Sequence, residues 1–128
     1  MWWKAAVAVA AGSMAGGLLR WALSVKLNGL LPSLPPGTLV SNWVAAYIAG
    51  LGVALFTQIS GLSPELRLLL ITGFCGGLST FSTFSVEIVG LMERGAYAWA
   101  LGSIFAHLFG SLLMTAAGIA TFFWLRGT

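Results

Sequence analysis

Charge is what this sequence lacks. Of its 128 residues only 7% are Asp, Glu, Lys or Arg, as six cations and three acids. A soluble domain carries about 25%, so most of this chain's surface is not made for water. A single cysteine, Cys75, excludes an intramolecular disulfide and leaves the redox compartment open. With one histidine, His107, and no Cys or carboxylate at ligand spacing from it, a histidine metal site has no support. The cations give a net charge of +3 but stand singly, without a basic run, which argues against nucleic-acid binding. Glu65, Glu87 and Glu93 are the only acids, and no nucleophile, base and orienting group line up with Cys75 or His107. Nothing resembles a phosphate-cradling loop either, so the chain is expected not to be an enzyme and to need no organic cofactor.

What it has is hydrocarbon. Hydrophobic residues make up 59% of the chain, and its mean hydropathy is +0.96. A membrane span takes about 20 apolar residues to cross about 30 Å. Four stretches satisfy this, at about 4–23, 38–59, 66–92 and 97–125, leaving room for a single transmembrane domain over 1–128. The connections, 26–37, 60–65 and 93–96, all contain Gly, and the first two contain Pro. Ser63-Pro64-Glu65 has the order of a helix N-cap followed by proline at the first helical position. The N-terminal stretch, with Lys4, an apolar run and small residues, has some features of a signal peptide. Its apolar pattern continues to Leu23, however, and further spans follow, so it is taken as the first transmembrane helix.

Four spans put both termini on one side. Lys4, Arg67 and Arg126 fall on that side, and Arg20, Lys26 and Arg94 on the other. Orientation follows the Lys and Arg bias of short loops, and here the two sides balance. Such a chain can insert both ways up, and opposite copies can pair as an antiparallel homodimer. The 17 glycines, in runs such as Gly16-Gly17, suit close helix packing in lipid.

Polar groups inside spans need a reason. Arg20 either snorkels from its helix end or presents positive charge at a polar vestibule. Asn42 either bonds a neighbouring helix or offers a neutral donor to a small anion. Ser103, His107, Ser111 and Thr115 recur every four residues and make one polar stripe, for helix packing or for a path. The third span is the densest: "GFCGGLSTFSTFSVE" (73–87) sets five hydroxyls and the phenylalanines Phe81 and Phe84 beside Gly76-Gly77. Each glycine weakens a helix by roughly 1 kcal/mol relative to alanine, so a break is expected here. Broken backbone at membrane depth survives only against protein or a polar cavity, and its freed carbonyls suit a hard cation. Beyond it, Phe81 and Phe84 stand three apart, as do Ser82 and Ser85. Ring edges are electropositive, so aromatic and hydroxyl rows favour an anion without a full charge, although they also suit helix packing.

The motif "GFCGGLSTFSTFS" (73–85), with "GGLLRW" (16–21), "PPGTLVSN" (35–42) and "HLFGSLLMT" (107–115), closely resembles the Fluc (CrcB) fluoride channel family along the whole chain. The resemblance implies an all-α membrane protein of four transmembrane helices with a broken third helix, working as a dual-topology antiparallel homodimer in the bacterial plasma (inner) membrane. Two pores per dimer would passively release cytoplasmic fluoride and so reduce its toxicity. By that resemblance Phe81 and Phe84 are the pore phenylalanines, Asn42 the pore asparagine and Ser111 the serine near it. Ser82, Ser85 and Thr115 form a hydroxyl track, and Arg20 is the vestibule arginine. A structural Na+ that is not transported would sit on the backbone carbonyls of Gly76 and Ser79. Glu87 and His107 receive no role. Two rival classes are a small multidrug exporter, which needs an embedded carboxylate that the first span lacks, and a non-transporting scaffold, which leaves the Phe and Ser rows unexplained.

Overall fold

The computed structural model describes residues 1–127 and is helical, with no strand among the described residues. Helix α1 (Trp2–Leu27) ends in a short 3-10 turn, and α2 (Pro36–Gln58) follows a tight Pro-rich connection. The third membrane-length stretch, Pro64–Glu93, is assembled from pieces. These are α3 (Pro64–Arg67), a π-helical segment (Leu68–Cys75), α4 (Gly76–Leu78) and α5 (Phe81–Glu93). Helix α6 (Tyr97–Arg126) completes the chain. Four helical stretches are thus long and apolar enough to cross a membrane, and the protein is a multi-pass membrane protein. The 30 residues of α6 span about 45 Å at 1.5 Å each. That exceeds a hydrocarbon core of about 30 Å, so the helix tilts or reaches into the headgroups.

Local chemistry sets where the helices begin. Proline at the first turn lacks only an N–H that has no helical partner there. Accordingly α2 starts at Pro36 and α3 at Pro64, the latter capped by Ser63, whose Oγ accepts from Leu66 N–H at 3.1 Å. Thr80 caps α5 by accepting from Thr83 N–H at 3.1 Å. Between α4 and α5, Ser79 (φ −80°, ψ 155°) and Thr80 (φ −150°, ψ 115°) are extended.

Two backbone contacts organise the bundle, both made possible by glycine. On α1, Gly12 packs on Gly73 of the third stretch, Gly16 on Phe74 and Leu78, and Ser13 and Gly17 on Gly77. A Cβ on Gly77 would stand 2.5 Å from Ser13 O, and one on Gly16 would stand 2.7 Å from Leu78 N. The other contact joins α2 to α6, where a Cβ on Gly118 would meet Leu51 N at 2.8 Å. Because lipid gives helices no hydrophobic reason to associate, such close approach is what holds them together. A small apolar core of Ala45, Cys75 and Leu78 fills the space between α2 and the third stretch. Elsewhere the bundle turns its apolar side chains outward: only 11% of the most apolar window of α6 is buried within the chain.

Candidate functional site

An open groove of about 690 Å³ runs along α2, the third stretch and α6. Its walls are mostly apolar, and none of the residues lining it is Asp, Glu, Lys or Arg. The polar side chains in it are Asn42, Ser79, Thr80, His107, Ser111 and Thr115.

The centre of the site is the pair of extended residues at 79–80. Thr80 N–H would close an α-helical bond on the carbonyl of Gly76, four residues back. Instead it donates to Asn42 Oδ1 at 2.6 Å. Asn42 Nδ2 in turn donates to Thr80 O at 3.2 Å, so one side-chain amide pairs with both backbone groups of one residue. The same nitrogen also lies 3.0 Å from His107 Nδ1 on α6. Thr83 N–H would likewise serve the carbonyl of Ser79, but it donates to Thr80 Oγ1. The carbonyls of Gly76 and Ser79 are therefore both relieved of their helical amides, and both residues line the groove.

Aromatic rings continue this polar cluster. Phe81 and Phe84 meet edge to face with centroids 5.5 Å apart. Phe84 then packs on the His107 imidazole at 4.5 Å, tilted by 40°. Phe81 is 80% exposed in the single chain, an orientation its own chain does little to stabilise.

Of the residues singled out from the sequence, Phe81, Phe84, Asn42, Ser111, Thr115, Gly76 and Ser79 gather around this groove. The hydroxyl of Thr115 donates to Ala46 O at 3.2 Å, which ties α6 to α2. Ser82 and Ser85 are exposed on α5 and lie outside the groove lining. Arg20 is also outside it: its Nε donates to Gly77 O at 3.0 Å. A cation at the last carbonyls of a helical segment complements its dipole, so Arg20 closes α4 from α1.

Sequence reasoning missed a second polar cluster at one end of the bundle. Thr38, fully buried, donates through Oγ1 to Glu87 Oε2 at 2.6 Å, which joins α2 to α5. Asn28 Oδ1 accepts from Thr38 N–H at 3.1 Å, so the connection after α1 caps α2. Glu87, as the one acid embedded in a span, was the available signal; its partner forty-nine positions away was not legible.

The chain is thus a four-span membrane protein with an uncharged, mostly apolar groove beside an interrupted third stretch. A profile of the family described as "CrcB-like protein, Camphor Resistance (CrcB)" matches residues 7–119. The chain is 60% identical over 126 residues to a protein of Nitrosomonas europaea named "Fluoride-specific ion channel FluC", covering 98% of this chain and 99% of that one. It is 58% identical to proteins of the same name from Pseudomonas putida, over 124 residues, and from Chromobacterium violaceum, over 124 residues. In each of these two cases the match covers 97% of this chain and 98% of the relative. The chain belongs to the CrcB family.

Proposed function

We propose that this protein is a fluoride-selective channel that lets cytoplasmic fluoride leave the cell passively, as an antiparallel homodimer with two pores in the bacterial inner membrane. What carries this reading is a groove with neutral donors and aromatic edges, and with no full charge among its lining residues, in a chain closely similar to proteins named fluoride-specific channels. An ion must bind well enough to enter and weakly enough to leave. Hydroxyls and ring edges meet both demands, whereas a lysine or arginine in the path would hold the ion.

Within this reading the break at Ser79 and Thr80 is the functional interruption of the third helix. In support of this, the Phe81 and Phe84 rings and the Asn42 side chain, which accepts from Thr80 N–H, all line the groove beside it. Ser111 and Thr115 extend the polar wall along α6, and Ser82 and Ser85 continue it along α5 on the exposed side. Arg20 supports the break from α1 and contributes positive potential toward a vestibule. The exposed Phe81 and the open apolar groove suit coverage by a second, inverted copy, which would complete each pore.

A structural Na+ fits the donor set. Hard cations take oxygen ligands, and the carbonyls of Gly76 and Ser79 have lost their helical amides to Asn42 and Thr80. Bound there, the ion would supply charge for these carbonyls and brace the break. One chain provides two such oxygens, so a shared site between two copies is the consistent arrangement.

The test is efflux from liposomes holding the purified protein, followed with a fluoride electrode. Fluoride release without chloride release, and without a proton gradient, is the expected result. Equal leakage of chloride, or no release of either ion, overturns the assignment; uptake of cationic drugs would favour an exporter instead.

A further inference from the structure

We propose that His107 supplies a binding group for the fluoride ion, its Nε2–H, in a neutral tautomer that Asn42 enforces. This rests on the channel reading above and assigns a donor that the sequence left without a role. The orientation of the Asn42 amide is fixed by the backbone it pairs with. Thr80 N–H can only donate, so the atom 2.6 Å from it is the amide oxygen. Thr80 O can only accept, so the atom 3.2 Å from it is the amide nitrogen. The second proton of that nitrogen then points to His107 Nδ1 at 3.0 Å. An N–H facing a ring nitrogen requires a lone pair there, so the imidazole proton is on Nε2. A doubly protonated ring would set one donor against another.

Both amide protons of Asn42 are spent in this arrangement, on Thr80 O and on His107. Asn42 therefore has no donor free for an ion, and the free donor lies one step further on. His107 is only 5% exposed, and its Nε2 is buried without a hydrogen-bond partner among the described residues. Leaving a buried N–H unpaired is costly, and each case calls for an explanation. Ser41 Oγ is likewise unpaired, but a hydroxyl rotates and can turn to a carbonyl of its own helix. The imidazole cannot re-aim in this way, because Asn42 holds one edge and Phe84 lies 4.5 Å from it. A chain of hydrogen bonds polarises its members, so the sequence from Thr80 N–H through Asn42 to His107 strengthens the terminal donor. His107 lines the groove, so an ion there reaches the shielded Nε2–H through movement of the side chains that cover it, and the contact must be weak enough for the ion to leave.

The single histidine makes the test clean. Protein labelled with nitrogen-15 histidine and reconstituted in liposomes gives one pair of imidazole resonances. The expected spectrum is that of the neutral Nε2–H tautomer, with the Nε2–H signal moving on addition of sodium fluoride and not of sodium chloride. A proton on Nδ1, a doubly protonated ring, or an Nε2–H signal unmoved by fluoride in vesicles that conduct it overturns the proposal. In parallel, His107→Asn keeps a polar atom near the Nδ1 position and removes the far N–H. Its fluoride flux is expected to fall about ten- to a hundredfold, the scale of one hydrogen bond to a charged partner. His107→Gln, whose amide reaches toward the Nε2 position, is expected to recover part of that loss. Flux of the Asn variant equal to wild type overturns the proposal. Vesicles that release no fluoride, yet whose Nε2–H still shifts with it, would sink the channel reading and leave the binding group standing.

Discussion

Replacing Asn42 by alanine tests the architecture of the site most directly, because this one side chain joins three parts of the bundle. The substitution removes the bonds to Thr80 N–H at 2.6 Å, Thr80 O at 3.2 Å and His107 Nδ1 at 3.0 Å. A typical intramolecular hydrogen bond contributes about 1 kcal/mol net, and a buried group left without a partner loses about 1–3 kcal/mol. Three bonds therefore represent about 3 kcal/mol. The Thr80 amide has a way out, since an unhooked segment can wind back and bond to Gly76 O. That escape would straighten the third stretch, move Phe81 and Phe84, and return a helical amide to a proposed sodium ligand. Asn42→Ala is thus expected to lower both fluoride flux and thermal stability, with the stability loss at roughly 2–4 kcal/mol. Unfolding in detergent, followed by the fluorescence of the six tryptophans, measures the second, and liposome efflux the first. A variant that stops conducting but melts with wild type would refute this account. Asn42 would then act on the ion alone, and its bonds to Thr80 would carry no weight.

Phe81→Ile is expected to reduce flux strongly with little loss of stability, because Phe81 is 80% exposed within its own chain; efflux beside a melting curve checks both. Gly16→Ala would force a Cβ against Phe74 O and to 2.7 Å from Leu78 N, both rigid backbone. Overpacking of about 1–3 kcal/mol or more is expected to show as reduced yield of folded protein and a lower melting temperature. Thr38→Val removes the 2.6 Å bond to Glu87 while keeping the side chain's shape, and should destabilise by about 1–3 kcal/mol; a Glu87→Gln partner variant in a double-mutant cycle isolates the pair. Exhaustive exchange of sodium for a large organic cation during purification should weaken flux, and full activity afterwards would remove the proposed cation site.

How much of this was legible depended on whether the information was local. Composition and run length were enough to place four membrane-length helices, since hydropathy needs no knowledge of neighbours. Ser63 and Pro64 announced a helix start by their own chemistry, and Gly76-Gly77 drew attention to the stretch where Ser79 and Thr80 are extended. The π-helical segment at Leu68–Cys75 gave no such sign. Its leucines and isoleucine suit any helical pitch, and the backbone it packs against, at Gly12 and Gly16, lies on another helix. Arg20 shows the same limit from the other side. Its position near a helix end allowed either snorkelling or a vestibule, and its bond to Gly77 O, fifty-seven residues away, is a third use that no local pattern contains.

Asn42 carries that point into the chemistry. In the sequence it is a neutral donor one turn into a helix, available to an anion. In the folded chain its oxygen and both amide protons are committed, so the buried N–H left without a partner beside it belongs to His107, a residue whose stripe on α6 gave no reason to separate it from Ser103 or Ser111. Hydrogen-bonding capacity can be counted along a sequence, but which donor is left over is decided only when each partner has been placed. In a membrane this remainder matters more than the count, because no water is present to absorb it. The polar atoms a span can carry are those its neighbours satisfy, and the one left unsatisfied is where an ion has most to offer.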